Sequence, residues 1–284
     1  MGTLKVDKTK AKIVDTSFSH QSSIAMLGSK YIEWIHEFDS DPDDTIFFTD
    51  LCTIFVEKIP CKYKVAMLIE PEVIIGEAYK YIRKYHRNFH YVLTHDRQLL
   101  DMLGNKGLWF PPSTTWIKNR GVYEKNKHAS MFASTKRSTP KQIFRCDIAD
   151  HLGRYFDQVD VFGILREHEL EFKDDGLRDY MFSIVVENSD VPDYFSEKIL
   201  DCFATGTVPI YNGMKNIGNY FDANGIITFD TIGELEIILN NLSYYAYLKR
   251  ENSIMINFDI VNRYLISTDD FIFKSYPGLF KEIK

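Results

Sequence analysis

The segment FSIVVENSDVPDYFSEKILDCFATGTVPIYNG, residues 182–213, limits the fold more than any other part of the chain. Phe182–Val186 is an apolar stretch without strict alternation, as a strand buried on both faces requires. It stops at Glu187, Asn188, Ser189 and Asp190. Polar groups at the end of a buried parallel strand are where open α/β sheets hold ligands. Beyond Pro192 and Tyr194, a helix is predicted from Ser196 as N-cap, with Ile199, Leu200 and Phe203 on its buried side. Gly206 closes that helix, and Val208–Tyr211 is a second strand stopped by Asn212-Gly213. The result is a strand–loop–helix–strand unit with its polar residues collected at one end.

Those polar residues suit a nucleotide diphosphate. Lys198 is a compact cation in the first turn of a helix, where free N–H groups also favour anions. Glu197 can accept hydrogen bonds from ribose hydroxyls, and Asn188 and Tyr194 are neutral donors for phosphate or sugar oxygens. Taken alone, Glu197-Lys198 reads first as an ordinary solvated helix start.

The remainder alternates strand and helix, the pattern of parallel sheets covered by helices. Strands are predicted at Lys12–Asp15, Thr45–Asp50, Lys64–Ile69, Phe89–Leu93, Ala129–Ser134, Val159–Phe162 and Gly225–Phe229. Helices are predicted over Gly76–Arg87, Arg97–Leu103, Pro140–Leu152, Thr231–Asn240 and Leu242–Tyr264. An apolar stripe through Ile24, Leu27, Tyr31, Trp34, Ile35 and Phe38 predicts another helix, after a polar loop at 17–23. The basic stretch Lys118–His128 reads as a linker, giving domains at 1–125 and 126–265 and a tail, 266–284, expected to cross back onto the first domain.

With 284 residues, 45% of them hydrophobic, the chain can bury two cores. A net charge of −6 argues against nucleic acid as a partner. Cys52, Cys61, Cys146 and Cys202 lack metal-site spacing and fit free thiols in a reducing compartment. No 18-residue apolar run or apolar leader is present, so a soluble, cytoplasmic protein without membrane insertion is expected. The D-x-D at Asp39-Ser40-Asp41 has the ligand type for a hard cation. Between a predicted helix and a strand, beside Pro42, it reads instead as a solvated loop.

The 182–213 segment resembles glycosyltransferase family ten, the α1,3/α1,4-fucosyltransferases. The match runs through Glu187-Asn188-Ser189, Tyr194-Phe195-Ser196-Glu197-Lys198 and Val208-Pro209-Ile210 with Gly213. It departs at Ser196, where threonine is commoner, and at Met181, where many members carry lysine. The serine keeps the hydroxyl, and the methionine leaves the donor sugar open. The resemblance implies an α/β fold of two facing Rossmann-like domains (GT-B). It also implies a GDP-sugar donor, a glycan acceptor, inversion at the anomeric centre, and neither metal nor other cofactor at the pyrophosphate.

Arginine on the first helix of the donor domain grips the pyrophosphate in that family, and Arg145 is the best match. An exposed helix arginine is the competing reading, and Lys136, Arg137 and Lys141 are neighbouring alternatives. Donor binding is thus expected from Arg145, Glu187, Asn188, Tyr194, Ser196, Glu197 and Lys198. The base belongs on the first domain, where Leu68-Ile69-Glu70-Pro71 resembles the family's strand ending in E-S-P without its serine. Glu70 is the expected base, with Glu72 close behind, although a carboxylate there can equally cap the following helix. His95 and Asp96, at a neighbouring strand end, are expected to help bind the acceptor. The alternative function is a non-catalytic nucleotide- or glycan-binding module. Such a module needs only one of the two sets of charged residues.

Overall fold

The structure, a computed structural model, describes residues 7–16, 28–39, 41–163, 170 and 172–280. The polar loop expected at 17–23 and the start of the helix expected over 24–38 lie outside the described residues. The chain forms two compact units, residues 1–114 with 266–284, and residues 115–265. None of the described helices is long and apolar enough to cross a membrane.

The first unit holds a parallel sheet of β1 (Thr9–Val14), β2 (Ile32–Ile35), β3 (Thr45–Thr49), β4 (Tyr63–Leu68), β5 (Tyr91–Thr94) and β6 (Gly107–Trp109). Its order is β2-β1-β3-β4-β5-β6. Helices α1 (Glu72–Tyr85) and α2 (Arg97–Leu103) connect its later strands. Ile46, Phe48, Ala66 and Leu68 bury one face against Ala78, Tyr79 and Ile82 of α1. The helix expected over 24–38 is overturned by β2. Ile32 and Trp34 are buried and Glu33 is exposed, so the apolar period is two across that span. Pairing with β1 from Thr9↔Ile32 to Lys12↔Ile35 then satisfies the backbone.

The second unit contains β7 (Lys127–Ala133), α3 (Pro140–Tyr155), β8 (Val159–Gly163), β9 (Tyr180–Val186), α4 (Glu197–Ala204), β10 (Val208–Asn212) and β11 (Ile227–Thr228). Helices α5 (Ile232–Asn240), α6 (Tyr244–Leu248) and α7 (Glu251–Ile260) follow. The sheet is parallel throughout, in the order β11-β10-β9-β7-β8. Every residue of β9 is buried. Phe182, Ile184 and Val186 face Ile148 and Leu152 of α3, while Val185 faces Ile199, Leu200 and Phe203 of α4. Each such side chain contributes about 1.5–3 kcal/mol by burial. Ser183, the one serine in that run, accepts a hydrogen bond from Ser130 Oγ on β7 at 3.0 Å.

Helix ends follow the expected capping chemistry. Thr139 accepts from Gln142 N ahead of Pro140, and Ser196 accepts from Lys198 N. Gly206 has φ +69°, the left-handed value that lets the chain leave α4 for β10. The single helix expected over 242–264 is divided into α6 and α7 at Lys249-Arg250. The break lets Tyr247 turn inward and donate to Gly206 O at 2.9 Å.

The last helix, α8 (Thr268–Ser275), belongs to the first unit. Its first turn offers Asp269 to Trp34 Nε1 at 2.7 Å and Asp270 to Ser29 Oγ at 2.6 Å. Ile272 is fully buried in the same core, and Phe280 stacks on Phe47 at 5.3 Å. The stretch 118–128, read as linker, lies in the second unit, as do residues 115–117 before it. Thr115 Oγ1 donates to Asp201 at 2.7 Å, and Lys125 Nζ donates to Arg178 O and Thr205 O, both at 2.8 Å.

Candidate active site

In the second sheet the chain starts at β7, steps to β8 on one side and returns to β9 on the other. The connections therefore diverge at the carboxyl ends of β7 and β9. A crevice opens at such a switch point in doubly wound sheets. The loop 187–196 and the start of α4 lie at this end.

Glu187 anchors that loop. It is 0% exposed, and its two oxygens accept from Ser196 N at 3.0 Å and Ser196 Oγ at 2.5 Å. Burial pushes its carboxyl above the usual range, against the pull of Lys198 and Ser196. It therefore acts on a ligand through the residues it holds, Ser196 and Lys198. Gly213 explains itself here, because a Cβ at that position would lie 2.8 Å from Glu187 Cγ. Ser196 is buried and passes the anchor onward, with Lys198 Nζ 3.0 Å from its hydroxyl. Lys198 Nζ is also 3.1 Å from Glu197 Oε1 and 3.9 Å from Glu187 Oε2.

Arg145 is not an exposed helix arginine. It is 6% exposed, on the side of α3 that buries Cys146, Ile148 and Ala149. Its Nε donates to Val186 O at 3.0 Å and its Nη2 to Asn188 Oδ1 at 2.6 Å. Burial lowers its pKa, opposed by Glu187 and Glu197. A guanidinium has five N–H donors. The two bonds fix its plane and leave further donors for a ligand oxygen. Arg145 and Asn188 are thereby brought together, with Tyr194 buried further along the same loop.

Sequence reasoning missed Lys173. Its Nζ lies 2.7 Å from Asp201 and 4.0 Å from Glu197, and 4.8 Å from the centre of the Trp116 ring. Burial raises the Glu197 pKa, but Lys198 and Lys173 together outweigh it and hold Glu197 at about 2. Glu197 is thus an acceptor only, at any physiological pH. Nothing in local spacing marks Lys173, because its partners come from other segments. Lys141 donates to Asn212 Oδ1 at 2.8 Å and pairs with Asp190 at 3.3 Å, which braces the loop from its other end.

In the first unit Glu70 follows β4 and is half-buried. Its backbone is held by Asp50, whose Oδ1 accepts from Ile69 N at 2.7 Å and Glu70 N at 3.3 Å. Asp50 itself is fully buried with φ +40°. Glu72 has a structural partner, since Arg83 donates to both its oxygens at 2.5 and 2.6 Å. Those hydrogen bonds hold its carboxyl below the usual range, which makes it a poorer base. Asp96 caps α2, accepting from Leu99 N at 2.7 Å. His95 is 4% exposed and stacks on Phe110. Both residues expected at the acceptor thus have partners within the first unit. In the D-x-D segment, Asp41 accepts from Asp43 N at 2.9 Å, closing its own turn. Among the described residues no group of three His, Cys, Asp or Glu side chains is placed to hold a metal.

Burial lowers the His95 pKa from 6.5 to about 4. The unfolded chain then takes up this proton first as pH falls. Stability present above pH 6.5 is lost as pH drops toward 4, on the order of 3 kcal/mol in full. Urea unfolding at pH 7 and pH 4.5 should show this loss in the wild type and a smaller one in His95→Phe. An equal loss in both would remove His95 as the cause.

Residues 122–258 match the model of the C-terminal region of glycosyltransferase family 10 (fucosyltransferase). No curated protein matches in a sequence search. A crystal structure of α1,3-fucosyltransferase superposes with TM-score 0.57 at 17% identity, covering 99% of this chain and 92% of that one. The same title with GDP-fucose gives TM-score 0.55 at 15% identity, covering 100% and 94%. The OtsA apo structure gives TM-score 0.58 at 10% identity, covering 86% and 74%. At these identities the structures speak for the fold, two Rossmann-like units of the GT-B class. Residues 122–258, which include Arg145 and Lys198, thus carry the match to the family 10 (fucosyltransferase) C-terminal region, and the chain as a whole shares the GT-B fold.

Proposed function

We propose that the chain transfers fucose, or a related hexose or deoxyhexose, from a GDP-sugar to a glycan hydroxyl. Transfer inverts the anomeric centre and uses no divalent metal at the pyrophosphate. The observation that carries this reading is the pair of cations, Arg145 and Lys198, held at the carboxyl end of β9 by Asn188 and Ser196. Two fixed positive charges can meet the charge that grows on a departing diphosphate, the role a bound cation takes elsewhere. Ionised Glu197 accepts from ribose hydroxyls. The family match and the shared fold with an α1,3-fucosyltransferase solved with GDP-fucose support the choice of GDP.

In this mechanism the acceptor hydroxyl gives its proton to the Glu70 carboxylate while its oxygen bonds to the anomeric carbon. The bond from that carbon to the β-phosphate oxygen breaks on the opposite side, and GDP leaves with the electron pair. Arg145 and Lys198 stabilise the leaving charge.

Thermal shift decides the donor. GDP should raise the melting temperature where UDP, ADP and CMP do not, because only a ligand of the native state stabilises it. At a hundredfold excess over its Kd the gain is about 2.7 kcal/mol. EDTA should leave the shift unchanged. An equal shift with UDP, or loss with EDTA, overturns the reading.

A further inference from the structure

Two non-glycine residues have positive φ among the described residues, and both are aspartates at these sites, Asp50 and Asp193. Asp193 has φ +65°. It is the third residue of a turn, Val191-Pro192-Asp193-Tyr194, closed by Tyr194 N donating to Val191 O at 3.4 Å. Proline second and positive φ third is the type II pattern, whose third place ordinarily goes to glycine or asparagine. An aspartate there bears a steric penalty that glycine lacks. Such strain persists where the surroundings over-determine it.

The surroundings do so here from the exit of a neighbouring strand. Asp193 N donates to Asn216 Oδ1 at 3.3 Å. Its own Oδ1 accepts from Asn216 Nδ2 at 2.8 Å and from Tyr220 Oη at 2.7 Å. Asn216 and Tyr220 follow β10, so the turn is clamped to the segment beyond that strand. Phe195 continues the attachment, its ring 5.3 Å from both Tyr220 and Phe221. Tyr194 lies between the two anchors.

We propose that Asp193 is a positioning residue for the donor site. Its left-handed turn and carboxylate clamp hold the 187–196 loop in the conformation that presents Asn188 and Lys198 to the diphosphate. This rests on the GDP-sugar reading above. Because both side-chain bonds reach one oxygen, asparagine can reproduce them and also tolerates the left-handed backbone. Glycine keeps the backbone and loses the clamp, and alanine loses both.

Calorimetric titration of GDP and of guanosine into the intact wild-type, D193A, D193G and D193N proteins tests this. D193A should weaken GDP on the order of tenfold, the worth of about one hydrogen bond, with guanosine little changed. D193G should fall between, and D193N should stay close to wild type. A purely structural role would lower the melting temperature and spare the contrast between GDP and guanosine. If D193A fails to fold, D193G against D193N carries the comparison. GDP affinity in D193A and D193G equal to wild type overturns the proposal. So does D193N no better than D193G, which would mean the charge itself meets the ligand. A wild type that binds no GDP overturns the donor reading as well.

Discussion

Glu70→Gln should lower sugar transfer by about 10²–10⁴-fold, the range a general base supplies, while GDP affinity stays level. Glutamine keeps the shape and loses the basicity, so the loss isolates proton transfer. Glu72→Gln is the matched control. Its carboxylate is already committed to Arg83 through two hydrogen bonds and is held in a weakly basic state. That variant should lose some stability and keep transfer within a few fold of wild type, since an exposed ion pair is worth about 0.2–1 kcal/mol. The readouts are transfer rate, GDP titration and melting temperature on one set of proteins. A large loss in Glu72→Gln with Glu70→Gln intact would move the base by two residues. Full activity in both would place the base elsewhere.

Arg145→Ala and Lys198→Ala should each weaken GDP far more than guanosine. Losing one charge-assisted contact to a phosphate costs about 1.5–3 kcal/mol, roughly 10- to 150-fold in Kd. The two variants should differ in their second effect. Arg145 also holds Val186 O and Asn188 Oδ1, so its removal orphans a buried carbonyl and frees the loop. Lys198 is partly exposed and its neighbours retain other partners, so Lys198→Ala should melt near the wild type. Arg145→Lys should recover little, because an ammonium cannot span both acceptors and a phosphate in one plane. GDP bound as tightly as by wild type in either alanine variant would exclude that residue as a phosphate ligand.

What the sequence disclosed was local chemistry. The buried run of β9, the caps Ser196 and Thr139, Pro140 at N1 and Gly206 at the end of α4 all follow from rules that act within a few residues. The site residues Arg145, Asn188 and Lys198 came from one contiguous motif and one helix, and the fold gathers them at the carboxyl end of the sheet's central strand. What stayed hidden depends on partners distant in sequence. Lys173 matters through Glu197 and Asp201, and Asp193 through Asn216 and Tyr220. Asp50 matters through the backbone of Glu70, and its own left-handed geometry leaves no trace in residue type. The error at β2 has the same root. Tyr31, Trp34, Ile35 and Phe38 fit a helical stripe while Ile32 and Trp34 fit an alternating strand, and only the pairing with β1 decides between them.

The first unit is assembled from both ends of the chain, and the second from one unbroken stretch. This sets an order of folding. Residues 115–265 are contiguous and can fold without waiting for either end of the chain, as contiguous domains do. The first unit waits. Until Asp269 and Asp270 emerge, the Trp34 indole and the Ser29 hydroxyl lack these acceptors. Until Ile272 and Phe280 follow, the face around Phe47 stays open to water. The amino-terminal half is therefore the last to finish. A chain truncated before residue 268 would keep the whole second unit and lack the α8 contacts to Trp34 and Ser29, leaving the sheet that holds the proposed base exposed and aggregation-prone.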